Sequence, residues 1–165
     1  MIRLRMSQAF LASMLTDLQR SHPFAMERIG FVCCRQSKSH SGSVLLAYRY
    51  EPIKDDQYIE DATVGAKFDS DAIRFGMQLA LSEKAAIFHV HMHPHSGKPR
   101  FSRVDEREMS ALMPCFVNVC PDKFHGALIV SSDRACARVW GSGCAKTGTD
   151  VERITAVGLG VEVLS

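Results

Sequence analysis

Ala85-Ala86-Ile87-Phe88-His89-Val90-His91-Met92-His93-Pro94 is the stretch on which the fold turns. Four apolar residues lead into three histidines at alternate positions. Side chains alternate faces along a strand, so His89, His91 and His93 share one side while Phe88, Val90 and Met92 take the other. Pro94 lacks a backbone donor and ends the strand, and Gly97 and Pro99 mark a loop. Ser102 reads as the N-cap of a helix over residues 103–113, with Asp105, Glu106 and Glu108 early, where a helix favours carboxylates. Asp105 then leans from the first helical turn toward the strand end. Two imidazoles and a carboxylate are ligands that Zn²⁺ accepts, and three protein ligands leave one tetrahedral position open for water, as in catalytic rather than structural sites.

Each element has a plainer reading. Histidine-rich loops are often ordinary polar surface, and S-x-x-D is also a common capping pattern. The combination gains weight from Glu27, which closely precedes the strand-like run from Ile29 to Cys34. A glutamate at a strand entry is usually a solvated charge. Beside a zinc site it is a candidate general base, because zinc lowers the pKa of a bound water to about 7 and asks little further basicity of a neighbour.

Glu27, then His91-x-His93-Pro94, then Ser102-x-x-Asp105 resembles the JAMM (MPN-plus) metalloprotease family over roughly residues 5 to 140. The resemblance implies a single domain over residues 1–165 of α/β class, MPN/JAB-like (cytidine-deaminase-like), with a central mixed β-sheet flanked by helices. It also implies a zinc isopeptidase cutting at the C-terminus of a ubiquitin-like protein. His91, His93 and Asp105 then hold Zn²⁺, Glu27 is the general base, and Ser102 helps stabilise the oxyanion. The loop wording is similar to small bacterial members that accompany ubiquitin-like conjugation enzymes, which implies such enzymes as partners and a bacterial antiviral setting. Trimming of a sulfur-carrier protein and service as a non-catalytic scaffold remain open as other uses of the same domain. Two departures stand out. Eight residues separate His93 from Ser102 where the family usually has seven, and His89 with His91 would also read H-x-H, though without the following proline.

Other families fit less well. A cupin wants a glutamate where Gly97 and Lys98 stand, and the Asp-His pair of metallo-β-lactamases is absent. Gly141 to Thr147 has Trp140 and Ala145 where a phosphate-binding loop needs glycines, so it reads as a surface turn. The chain has 165 residues, 46 % of them hydrophobic, enough for one domain with a real core. A net charge of +2 with scattered Lys and Arg argues for neither nucleic acid nor membrane. Six cysteines with no C-x-x-C pair read as reduced, mostly buried small hydrophobes of a cytoplasmic protein.

The remaining elements complete a mixed domain. Phe10, Leu11, Met14, Leu15 and Leu18 space an amphipathic helix, favoured over a targeting role for the Arg3/Arg5 segment. Residues 43–50 read as a strand. A middle helix runs over residues 69–84, with Ile73, Met77, Ala80 and Leu81 as its apolar stripe. Residues 124–131 and 135–140 form a hairpin about Ser132-Asp133, and residues 151–164 add one or two strands. Residues 51–67 and 95–101 are expected to flank the site.

Overall fold

The computed structural model describes residues 1–165 except Phe24 and Ala62. In chain order the strands are β1 (Ile2–Ser7), β2 (Ile29–Ser39), β3 (Gly42–Pro52), β4 (Ala86–Met92), β5 (His125–Val130), β6 (Ala135–Trp140), β7 (Thr149–Asp150), β8 (Arg153–Val157) and β9 (Val161–Val163). The helices are α1 (Gln8–Leu18), α2 (Ser70–Glu83) and α3 (Arg103–Val119). The strands form one mixed sheet in the order β7-β6-β5-β4-β2-β3-β1-β8-β9. Pairs β1/β3, β1/β8 and β4/β5 are parallel and the others antiparallel.

The sheet is strongly curled, and the segment after β6 shows why. Thr149 pairs with Val139 of β6, whereas Arg153 pairs with Arg3 of β1. Between them the Val151 N–H donates to Ala137 O and the Glu152 N–H to Ile2 O. Ala135 N–H donates to Leu164 O beyond β9. These bonds draw the two ends of the sheet together and satisfy backbone groups that a free edge would leave to water.

Two apolar layers result. On one face Leu4, Met6, Val32, Leu45, Phe88, Val90 and Ile154 pack under Leu11, Met14 and Leu18 of α1. On the other, Phe31, Cys33, Ile87 and Ala127 pack under Leu79 of α2 and Met113 and Phe116 of α3. The expected split of β4 is present: Phe88, Val90 and Met92 lie in the α1 layer, away from His89 and His91.

Several expectations need correction. β1 is an additional strand, although Ile2, Leu4 and Met6 do alternate with Arg3 and Arg5. α2 has the expected extent and an Asp69 N-cap, but its buried face is Ala72, Gly76, Leu79 and Ala80, leaving Leu81 62 % exposed. Gly76 explains the rotation. A Cβ there would stand 2.9 Å from the Phe31 ring and 3.0 Å from that of Phe116, so the helix meets the aromatic layer on its smallest residue. α3 continues past Met113 to Val119 with Pro114 inside it; burial of Met113 and Phe116 outweighs the intrahelical bond lost at the proline. All six cysteines are free thiols, but Cys33 and Cys34 alone are buried, the others being half-buried. No described helix is long and apolar enough to cross a membrane.

His125 ties α3 to β4. Its Nδ1 accepts from Ile87 N–H at 3.2 Å, which leaves Nε2 to donate to Cys120 O at 3.0 Å. The ring is neutral by construction, since a second ring proton would face the Ile87 N–H. Burial pushes its pKa down to about 4 from an ordinary 6.5, against the smaller upward effect of the Cys120 carbonyl. Between those values the unfolded chain takes up a proton that the folded one refuses, so stability falls as pH drops through this window and levels off below it. The total is roughly 3 kcal/mol. Urea unfolding of wild type and His125→Phe at pH 7 and pH 4 checks this. The variant is expected to be less stable at pH 7, with its orphaned Ile87 N–H, yet to lose less than wild type on acidification.

Candidate metal centre

β4 ends where three elements converge. Its antiparallel register with β2 sets Ile29 opposite His91 and Phe31 opposite His89, so the register continued by two residues brings Glu27 opposite His93. On its other side β4 runs parallel to β5, and His93 N–H donates to Val130 O at 2.9 Å, holding the residue just past the strand in line. α3 starts above this corner with a reciprocal cap. Ser102 Oγ accepts from Asp105 N–H at 3.1 Å, and Asp105 Oδ2 accepts from Ser102 N–H at 2.7 Å.

The side chains meet closely. His91 Nε2 and His93 Nε2 are 3.2 Å apart. Asp105 Oδ1 lies 3.3 Å from His91 Nε2, and Asp105 Oδ2 lies 3.8 Å from His93 Nε2. Donor atoms about 2.0–2.1 Å from a common tetrahedral centre lie about 3.3–3.4 Å from one another. The His91–His93 and His91–Asp105 separations match such an edge, whereas the 3.8 Å from His93 is longer and is made by the other carboxylate oxygen. Glu27 joins the same corner: its carboxylate and the two imidazole nitrogens all lie within 4.8 Å of one another. Among the described residues the group whose donor atoms meet as possible metal ligands is Glu27, His91 and His93, and Asp105 lies beside it. The half-buried Glu/His/His group can bind a metal ion.

Charge favours the same corner. Burial alone would raise the Asp105 pKa, but the hydrogen bond and charge of His91, followed by the Ser102 hydroxyl and N–H, hold it well below the ordinary range. Asp105 is thus an anion held ready. Glu27 moves the other way: burial raises its pKa, the neighbouring His91 opposes that, and Asp105 adds to it. Burial, then the proximity of His91, lowers His93, keeping the imidazole in the neutral form that binds metals.

No family model matches the chain, and no curated protein matches it. What the corner can do is therefore read from its own geometry.

Glu27 is set in place by residues that the sequence did not single out. Gly65 O accepts from both Met26 N–H and Glu27 N–H, at 2.8 and 3.1 Å. A Cβ on Gly65 would stand 2.8 Å from the Glu27 carboxyl carbon, so the carboxylate rests directly on a bare backbone. On the following side Arg28, only 4 % exposed, donates to Arg20 O, Ser21 O and Asp55 Oδ1 at 2.9, 2.9 and 2.7 Å. Arg28→Ala is expected to cost roughly 3 kcal/mol, because it leaves two carbonyls and a carboxylate without their donor. Asp55→Ala is expected to cost less, since the guanidinium keeps its two carbonyl acceptors and Asp55 itself is exposed. Chemical unfolding of both variants measures the difference.

The loop after His93 is fastened as well. Gly97 N–H donates to Asp133 Oδ1 at 2.7 Å, Ser131 Oγ to Gly97 O at 2.7 Å, and Ser132 N–H and Oγ both to His95 O. The turn between β5 and β6 thereby fixes the segment between the histidines and Ser102. Of the expected flanking segments, 51–67 contributes Asp61 and residues 63–67 to a cavity of about 480 Å³ that also reaches Glu27, His91 and Asp105, whereas 95–101 is not in its lining. Val64, Phe68, Ile73 and Met109 give it apolar walls.

His89 does not join the donor atoms. It is buried, stacked on Phe68 at 5.7 Å with its edge toward Phe31, and burial lowers its pKa to about 3. Neither of its ring nitrogens, nor His91 Nδ1, has a hydrogen-bond partner among the described residues. The pair whose nitrogens face each other beside Asp105 is His91 and His93.

Proposed function

We propose that this chain is a zinc-dependent isopeptidase of the JAMM type, built on an MPN/JAB-like domain, which cuts at the C-terminus of a ubiquitin-like protein. The observation that carries the reading is the convergence of Glu27, His91 and His93 donor atoms within 4.8 Å of one another, with the Asp105 carboxylate 3.3 Å from His91 and 3.8 Å from His93. His91, His93 and Asp105 hold the metal. Zn²⁺ in that position supplies a Lewis acid that acidifies water and polarises a carbonyl. Glu27 takes the proton from the attacking water and delivers it to the leaving amine nitrogen as the C–N bond breaks and the new C–O bond forms. Its burial suits both halves of that transfer, because a raised carboxylate pKa lies nearer to that of the water it serves. Ser102 stands exposed beside Asp105; its Oγ accepts from Asp105 N–H through a lone pair, leaving the hydroxyl proton free to donate to the developing oxyanion.

The adjoining cavity supports a slender substrate. The cavity of about 480 Å³ that reaches Glu27, His91 and Asp105, with apolar walls at Val64, Phe68, Ile73 and Met109, has room for a slender chain terminus rather than a folded surface. Two measurements on tag-free protein test the reading. Mass spectrometry is expected to find about one zinc per chain. A panel of ubiquitin-like and sulfur-carrier proteins carrying C-terminal extensions is expected to yield cleavage that stops on chelation. Protein that stays metal-free when zinc is supplied would sink the peptidase reading and favour a scaffold.

A further inference from the structure

The β8–β9 hairpin concentrates exposed aliphatic surface. Val157, Leu159, Val161 and Val163 are all exposed within seven residues, and Leu159, between Gly158 and Gly160 at the tip, is 110 % exposed. The strand register continues this surface inward as transverse rows. Ser7, Val157 and Val161 form the row nearest the tip. Arg35, Leu46, Arg5, Thr155 and Val163 form the second, in which Leu46, Arg5 and Val163 are exposed and Thr155 is buried between its neighbours. Ser37, Val44, Arg3 and Arg153 form the third. These side chains point away from α1, whose layer contains Leu4, Leu45, Ile154 and Ala156. They share the face that α2 and α3 cover on the other half of the sheet; Arg35 meets the end of α2, but no described helix lies over the residues of β1, β8 and β9.

The charge on this face is one-sided. Arg5 and Arg153 make no ion pair or hydrogen bond among the described residues, and Arg3 rests on the Met1 sulfur at 2.9 Å. Arg35 is engaged at the end of α2: it donates to Glu83 O at 3.1 Å, lies 4.6 Å over the Tyr48 ring and has the Glu83 carboxylate 3.9 Å away. Of the nearby acids, Glu152 pairs with the Met1 ammonium, and Glu162 lines a groove beside α1 on the opposite side. A second copy of this chain is a poor occupant, because a two-fold contact through this face would set Arg3, Arg5 and Arg153 against their own images. The occupant must be anionic and must receive a protruding leucine. We propose that the hairpin and its arginine rows dock on an anionic lipid surface. Leu159, Val157 and Val161 enter the acyl boundary, and Arg5 and then Arg3 and Arg153, about 7 and about 13 Å further back, meet the phosphates. A net charge of +2 conceals this surface, since only the strand register gathers the arginines.

Co-sedimentation of the full chain tests the proposal, using vesicles of pure phosphatidylcholine and vesicles of equal parts phosphatidylcholine and phosphatidylglycerol. Binding is expected to the anionic vesicles alone and to weaken severalfold as salt rises to about 0.5 M. Leu159→Asp is expected to lower partitioning at least about tenfold. Arg5→Ala and Arg153→Ala are each expected to lower it about fivefold. Leu81→Asp, which removes an exposed leucine from α2, is expected to change nothing, and unchanged unfolding midpoints show that the variants are folded. No binding to either vesicle, equal binding to both, or loss with Leu81→Asp equal to that with Leu159→Asp overturns the proposal. So does lipid-free self-association that Leu159→Asp abolishes, which would assign the face to a second copy.

Discussion

Asp105→Ala is expected to weaken zinc binding by at least about 100-fold, more than the loss typical of residues that merely orient a ligand. The carboxylate lies 3.3 Å from His91 Nε2 and 3.8 Å from His93 Nε2, and it is held as an anion by the ring of His91 and by Ser102. It also caps α3, so the alanine variant is expected to lose about 1 kcal/mol of stability as well. Asp105→Asn separates the two roles. Its amide oxygen can still accept from Ser102 N–H, so the fold keeps its cap while the site loses a charge. Zinc titration with a competing chelator reads the affinity, and thermal unfolding of the metal-free forms reads the cap. The same titration decides whether Asp105 or Glu27 completes the metal site. If Asp105→Ala binds zinc like wild type while Glu27→Ala does not, the metal sits between Glu27, His91 and His93, and Glu27 is no longer free to move a proton.

Glu27→Gln is expected to keep zinc and lower turnover by about 10²–10⁴-fold, the usual range for a positioned proton carrier. Glutamine is nearly isosteric, so it can keep the same seat against the bare backbone of Gly65. The backbone bonds from Met26 and Glu27 to Gly65 O do not depend on the side chain, so the local fold should persist. Single-turnover cleavage of a ubiquitin-like fusion, with metal content measured on the same sample, gives both quantities. A variant that cleaves at the wild-type rate assigns the proton transfer to another group.

Much of this corner was legible from residue spacing because it depends on local rules. Alternation along β4 separates His89, His91 and His93 from Phe88, Val90 and Met92, and a serine three residues before an aspartate caps a helix whatever the tertiary fold. The strand register that brings Glu27 to His93 is not local, nor is the approach of Gly65, and no periodicity reports either. The Leu81 stripe failed for a related reason. Apolar spacing alone fits two adjacent faces of α2, and the face that wins is the one where Gly76 lets Phe31 and Phe116 come close. β1 was different, since the alternation of Ile2, Leu4 and Met6 was present and a neighbouring helix pattern overshadowed it. The bare face beyond β3 was invisible in principle, because it follows from where the helices stop.

The curl of the sheet has a consequence for how the molecule is made. β1 lies between β3 and β8, so a strand from the first residues waits for one that is synthesised about 150 positions later. Ile154 and Ala156 of β8 complete the apolar layer that also holds Phe88 and Val90 on the back of the histidine strand. Until residues 153–157 leave the ribosome that layer stays open to water on one side. Contacts of such long sequence separation slow folding and prolong exposure of apolar strands. Refolding is therefore expected to be slow for a domain of this size, and the nascent chain to be a client of general chaperones before its last strands arrive.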